Sequence, residues 1–239
     1  MKIEIIDDGV GAFATLNKIK YGLSADYSVQ ILDEHFPLGN LRRQELFPLA
    51  KSALESAISR NADAVVFSSI ALSMASAKTL AATCETPVFG CEAPIIHAGT
   101  YTASQVLVVG DAYVFQAAKR FPNVIALNLP NFAALAESGA DEREIVNYIA
   151  QNAEKFSGQF DCIALGCSSM NLYKHCFSRV FPNAQIFDSL EGVARKLRKK
   201  YHKNNHDERK NNRDESTVTV FNQKMQDLSQ KYNFFIEEF

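Results

Sequence analysis

The sequence predicts an α/β fold built on parallel sheets, and three observations lead to it. Short apolar runs rich in β-branched residues recur along the chain, helix-like segments separate them, and several runs end in polar or glycine-containing turns. Continuous apolar strands of about four to eight residues suit a parallel sheet covered on both faces. Repeated strand–helix alternation then implies parallel strands joined by right-handed crossovers.

In chain order the expected strands are KIEIID (2–7), SVQILD (28–33), AVVFSS (64–69), PVFGC (87–91), QVLVVG (105–110), NVIALNL (123–129), CIALGC (162–167) and QIFDS (185–189). Between the second and third, Arg42 to Arg60 carries Leu46, Leu49, Ala50, Ala53 and Ala57 at helical spacing, so a helix is expected there. From Arg195 to Arg213 the chain holds nine Lys or Arg. The first part of this stretch continues a helix begun near Ser189, and HKNNHDERKNNRDES reads as a solvated linker. STVTVF (216–221) then looks like a strand, and Asn222 like the N-cap of a helix to about Tyr232. The terminal NFFIEEF is expected to dock on the core or on a second subunit of a homodimer.

At 239 residues the chain can bury one large core or two smaller ones. Hydrophobic residues at 47% against 22% charged exclude global disorder. A net charge of -2 gives no field to attract nucleic acid or an anionic membrane, so neither is an expected partner, and small molecules stay open. No apolar run approaches the roughly 20 residues that span a bilayer. The start, MKIEIIDDGVG, reads as a strand entering a glycine turn rather than a secretion signal, which leads to an expected cytoplasmic location. Five cysteines, odd in number and without a CxxC pair, suggest neither a disulfide framework nor a metal site. Cys91 and Cys162 fall in apolar runs and read as core, and Cys84 and Cys176 fall in helix-like segments. Cys167 differs, because it comes where a strand stops and a loop begins.

Parallel α/β sheets bind ligands beyond the carboxyl ends of their strands. Four such ends are polar here: Asp7-Asp8-Gly9-Val10-Gly11, Ser68-Ser69, Gly166-Cys167-Ser168-Ser169, and Asp188-Ser189. Singly, each serves equally well as a helix cap or a turn. Together they are expected to surround one cleft.

These segments resemble glutamate racemase and the wider aspartate/glutamate racemase superfamily. DDGVGA (7–12) is similar to a DSGVGG-like turn, and Pro37-Leu38-Gly39 to a PYG-like loop. VVFSSIALS (65–73) matches a strand ending in a CNTAS-like motif, and PVFGCEAP (87–94) a PVIGVIEP-like strand. LGCSSMN (165–171) matches LGCTHYP, and FDS (187–189) an IDS motif leading into a helix. The resemblance implies two similar parallel-sheet α/β domains, related by pseudo-twofold symmetry, with the site in the cleft between them. Residues 1–97 with 209–239 would form one, and 98–208 the other. It implies cofactor-free inversion at Cα of a small amino acid or carboxylic acid, with no metal. Two cysteines work from opposite faces, one removing a proton as thiolate while the other donates.

Cys167 holds the second cysteine position. The first falls on Ser68 or Ser69, according to how the motif is registered, and no cysteine is there. A serine hydroxyl is a far weaker acid than a thiol and a poor base without a partner such as histidine. Asp8 stands where the family has a substrate-holding serine, and Ser169 where it has a histidine. The implied catalytic set is Cys167, Ser68, Ser69 and Asp7; the implied substrate-holding set is Asp8, Pro37, Leu38, Gly39, Ser168, Ser169 and Asp188. Three functions fit: a racemase whose missing base is supplied unusually, a single-cysteine decarboxylase or isomerase of a small diacid, and a non-catalytic ligand-binding or regulatory homologue.

Overall fold

The computed structural model describes residues 1–21, 23–102, 104–156, 160–201 and 217–220. Two sheets form, and every strand pair in both is parallel. The first contains β1 (Lys2–Asp7), β2 (Asp26–Ile31), β3 (Ala64–Phe67), β4 (Val88–Gly90) and β9 (Val218–Val220), in the order β4-β3-β1-β2-β9. The second contains β5 (Val106–Gly110), β6 (Val124–Leu127), β7 (Cys162–Gly166) and β8 (Gln185–Phe187), in the order β6-β5-β7-β8. The central strands are wholly buried, with Ile3, Ile5 and Ile6 in β1 and Val106 to Val109 in β5 at 0% exposure. That burial on both faces explains why their sequences are continuously apolar rather than alternating.

The helices are α1 (Gly11–Lys20), α2 (Arg43–Ser59), α3 (Ile70–Leu72), α4 (Lys78–Thr83), α5 (Ile95–Tyr101), α6 (Ala112–Ala118), α7 (Phe132–Ser138), α8 (Glu142–Ala153), α9 (Lys174–Val180) and α10 (Leu190–Tyr201). A π-helical turn at Ser73–Ala77 joins α3 to α4. As the spacing predicts, α2 buries Leu46, Ala50, Ala53 and Ala57 on one stripe.

The two sheets repeat one topology. Strands β2-β1-β3-β4 and β6-β5-β7-β8 have the same order, each with its first strand second in the row. The second strand departs from its expected bounds. It begins at Asp26, and after the Leu32 N–H bonds the Asp7 carbonyl at 2.8 Å the chain turns into a 3-10 helix at Asp33–His35. The expected run to Ser69 stops at Phe67, because the Ser69 side chain caps α3 instead of extending the strand.

The returning strand β9 pairs with β2, Tyr27 opposite Val218. Helix α10, which the sequence division puts in the second domain, lies along elements of the first sheet. Lys18 pairs with Glu191 at 2.6 Å, Lys196 pairs with Glu92, and the Tyr201 hydroxyl donates to the Asp63 carbonyl at 3.3 Å. The expected linker, the helix from Asn222 and the terminal NFFIEEF lie outside the described residues. No helix among the described residues is long and apolar enough to cross a membrane.

Candidate active site

Each sheet reverses its order of strand addition after its second strand. The chain adds β2 on one side of β1 and then β3 on the other, and repeats this with β6 and β7 around β5. The crevice at such a switch point, beyond the carboxyl ends of the strands, is where open α/β sheets receive ligands. Here the two crevices face each other. Asp7 and Ser69 follow β1 and β3; Asp111 and Cys167 follow β5 and β7; all four line a single cleft of about 100 Å³. A water needs at least about 10–15 Å³ measured in this way, so the cleft holds several waters or one small organic molecule.

Of the expected site residues, Asp7, Asp8, Pro37, Gly39, Ser69, Cys167, Ser168 and Ser169 line the cleft. Ser68, Leu38 and Asp188 do not. Ser68 has no exposure and its Oγ lies 2.5 Å from the Thr15 Oγ1, so it faces α1 rather than the cleft. Leu38 is buried, and contributes through its backbone N–H, which donates to Asp8 Oδ2 at 2.7 Å. Asp188 pairs with Lys174 at 2.5 Å and accepts from the Leu190 N–H at 3.0 Å, as a cap at the start of α10. Burial alone would raise its carboxyl, but the Lys174 ammonium and the Leu190 and Glu191 N–H groups together outweigh it and hold the group below the usual range. Cys91 is buried and borders a different groove, beside Ser73 and Met74.

Several contacts close the cleft across the two halves. Ser168 Oγ donates to Asp7 Oδ1 at 3.2 Å. The Val10 N–H, at the start of α1, donates to Glu137 Oε1 at 2.5 Å, so a carboxylate from α7 caps a helix of the other half. The Tyr113 hydroxyl donates to the Leu41 carbonyl at 2.8 Å.

The electrostatics are dominated by carboxyls. Asp7, Asp8, Asp111 and Glu137 line the cleft, and no Lys, Arg or His does among the described residues. Burial foremost, and then the adjacent Asp8 carboxylate, push Asp7 well above the usual carboxylate range. Its Oδ2 is buried without a hydrogen-bond partner. Burial likewise raises Asp111 to about 6, against the N–H groups of Val114 and Tyr113 that it caps. Burial pushes the Cys167 thiol up to about 12. The Ser169 hydroxyl 3.1 Å away opposes the rise, while the fields of Asp8 and Asp111 add to it. Among the described residues no group of three His, Cys, Asp or Glu is arranged to hold a metal ion.

Sequence reasoning missed two of these groups. Asp111 directly follows Gly110 at the end of β5, so the strand-end rule that selected Asp7 and Cys167 would have selected it too. Glu137 carried no such signal, because it lies in the last turn of a helix and only tertiary packing brings it to the cleft.

No protein-family model matches the chain. A glutamate racemase of Lachnospira eligens is 23% identical over 216 residues, covering 83% of this chain and 81% of that protein. A crystal structure of a glutamate racemase isoform from Bacillus anthracis superposes with a TM-score of 0.80 at 18% identity, covering 98% of this chain and 94% of the other. The Escherichia coli glutamate racemase, crystallised with L-glutamate and an activator, gives a TM-score of 0.75 at 18% identity, covering 97% and 94%. With its two parallel sheets of repeated strand order, the chain has the fold of these racemase structures, and it is similar in sequence to a glutamate racemase over most of its length.

Proposed function

We propose that this chain binds a small amino acid in the cleft, and that Cys167, acting alone and without a cofactor, exchanges one substrate proton with solvent on one face. One observation carries this reading. Cys167 and Ser69 line the same cleft, yet no histidine or cation lines it among the described residues to activate the serine. Ser69 Oγ is the cap of α3, accepting from the Leu72 N–H at 3.4 Å. A hydroxyl so placed has no route to becoming a base near neutral pH.

The chemistry then runs from one side. The Cys167 thiol first loses its proton to solvent; the thiolate takes the α-proton, breaking C–H and forming S–H. The thiol exchanges with solvent and returns a proton to the same carbon, with configuration retained. Burial, with the acidic neighbours adding to it, holds the sulfur protonated, so the exchange is slow at neutral pH and accelerates as pH rises.

The test is NMR in deuterium oxide with D- and L-amino acids, using the wild-type chain and Cys167→Ala. The expected result is α-hydrogen exchange in one enantiomer, without inversion, that disappears in the variant. Exchange of both enantiomers with matching racemisation would reveal a second base. Exchange that survives Cys167→Ala would remove the cysteine from the mechanism.

A second reading, ligand binding without chemistry, is favoured by the rise of the Cys167 thiol to about 12. Its signature is saturable binding of an amino acid with no exchange in either enantiomer.

A further inference from the structure

We propose that the cleft selects a small ligand of net positive charge, an amino acid or amine with a cationic side group, and rejects dicarboxylic amino acids; this rests on the reading of the cleft as an amino-acid site. Three observations converge on it.

The first is the sign of the lining. Four carboxyl residues, Asp7, Asp8, Asp111 and Glu137, line one cleft, and among the described residues no basic residue lines it. Asp7 apart, three other carboxyl groups share the cleft. A dicarboxylate entering here would meet like charges at short range in a partly desolvated space, where repulsion is weakly screened.

The second is the fate of the backbone donors. Helix N-termini and loop N–H groups are the usual anion-binding elements of such a fold. Here the protein's own carboxylates hold five of them. The Val10 N–H at the start of the ten-residue α1 donates to Glu137. The Tyr113 and Val114 N–H groups donate to Asp111 Oδ1 at 2.9 and 3.2 Å. The Leu38 N–H donates to Asp8, and the Asp8 N–H to Asp7 Oδ1 at 2.8 Å.

The third is an acceptor left over. Asp7 has no solvent exposure, lies in the cleft wall, and keeps Oδ2 buried without a hydrogen-bond partner. A buried acceptor left unsatisfied costs about 1–3 kcal/mol. An ammonium or amidinium group is the partner that supplies donors and opposes the local charge together. The cleft therefore offers acceptors where a glutamate would need donors.

The experiment is isothermal titration of the full chain with D- and L-lysine and ornithine, with norleucine and alanine as neutral controls, and with glutamate and aspartate. Lysine or ornithine is expected to bind at least 10-fold more tightly than norleucine, and glutamate to show no saturable binding. Asp8→Asn and Glu137→Gln, folded as judged by circular dichroism, are each expected to weaken the cationic ligand by at least 10-fold. Glutamate binding as tightly as lysine would overturn the charge proposal and leave the amino-acid site standing. Cation binding unaffected by both variants would place it elsewhere and also overturn the proposal. Absence of binding by every amino acid in the panel would overturn both readings.

Discussion

Gly11 and Ser168 approach so closely across the two halves that a Cβ on Gly11 would sit 2.7 Å from the Ser168 carbonyl carbon. The Ser168 side chain lies nearer still, and the backbone carbon behind it cannot swing aside like the end of a flexible side chain. The contact sets the distance between the start of α1 and the loop after β7, and with it the width of the cleft. Gly11→Ala is therefore expected to destabilise the chain by about 1–3 kcal/mol, as overpacking of a tight contact does. Chemical denaturation measures it; an unchanged midpoint would show that the halves separate easily at this point.

Glu4 has no exposure, and receives Arg60 and the Ser28 hydroxyl. Removing the cation would strand a carboxylate among apolar strands. Arg60→Ala is expected to cost about 3 kcal/mol, and Glu4→Gln combined with Arg60→Met distinctly less, because no charge is then left unpaired. Urea titrations of the two variants order them.

Asp111 supplies a pH signature. Its carboxyl is raised to about 6 in the folded chain, so the native state holds the proton more tightly than the unfolded state. Stability from this group is fully present below the unfolded carboxylate value and declines as pH rises to about 6, after which the loss is constant. Asp111→Asn keeps an acceptor for the α6 cap and has nothing to ionise. Its stability relative to wild type is expected to rise between about pH 4 and 7, by up to about 3 kcal/mol. Melting curves of both proteins across that range test the sign; a gap independent of pH would contradict it.

The two serines separate cleanly. Ser69→Cys puts a second thiol on the cleft wall and is expected to yield α-hydrogen exchange in the enantiomer that wild type leaves untouched. Ser68→Cys enlarges a side chain packed 2.5 Å from Thr15 and is expected to lose about 1–2 kcal/mol of stability without gaining exchange. NMR exchange and denaturation on both variants decide this.

The architecture was legible in the sequence because it depends on patterns that local residues carry. Every expected strand among the described residues formed, within a few residues of its expected bounds, since a buried parallel strand must be apolar on both faces. The strand-end rule located Asp7, Asp8, Ser69 and Cys167 for the same reason. What stayed illegible was direction and partnership. Ser68 and Ser69 are adjacent, so only the geometry of the turn decides which one faces the cleft. Asp188 looked like a site group, and only the tertiary position of Lys174 explains why it caps and pairs instead. Glu137 is invisible to any local rule, because its partner Val10 is 127 residues away.

The tethers that cross the cleft have a kinetic side. Glu137 to Val10 and Tyr113 to Leu41 link the halves at separate points. They hold the walls together before any ligand arrives, so little ordering is left for binding to impose. Opening of a link is expected to widen the way in and out. The dwell time of an occupant is then expected to lengthen with the strength of those links. Weakening the Tyr113 link, as in Tyr113→Phe, is expected to exchange retention for access: arrival and departure both quicken, while the carboxyl groups that line the cleft stay as they were.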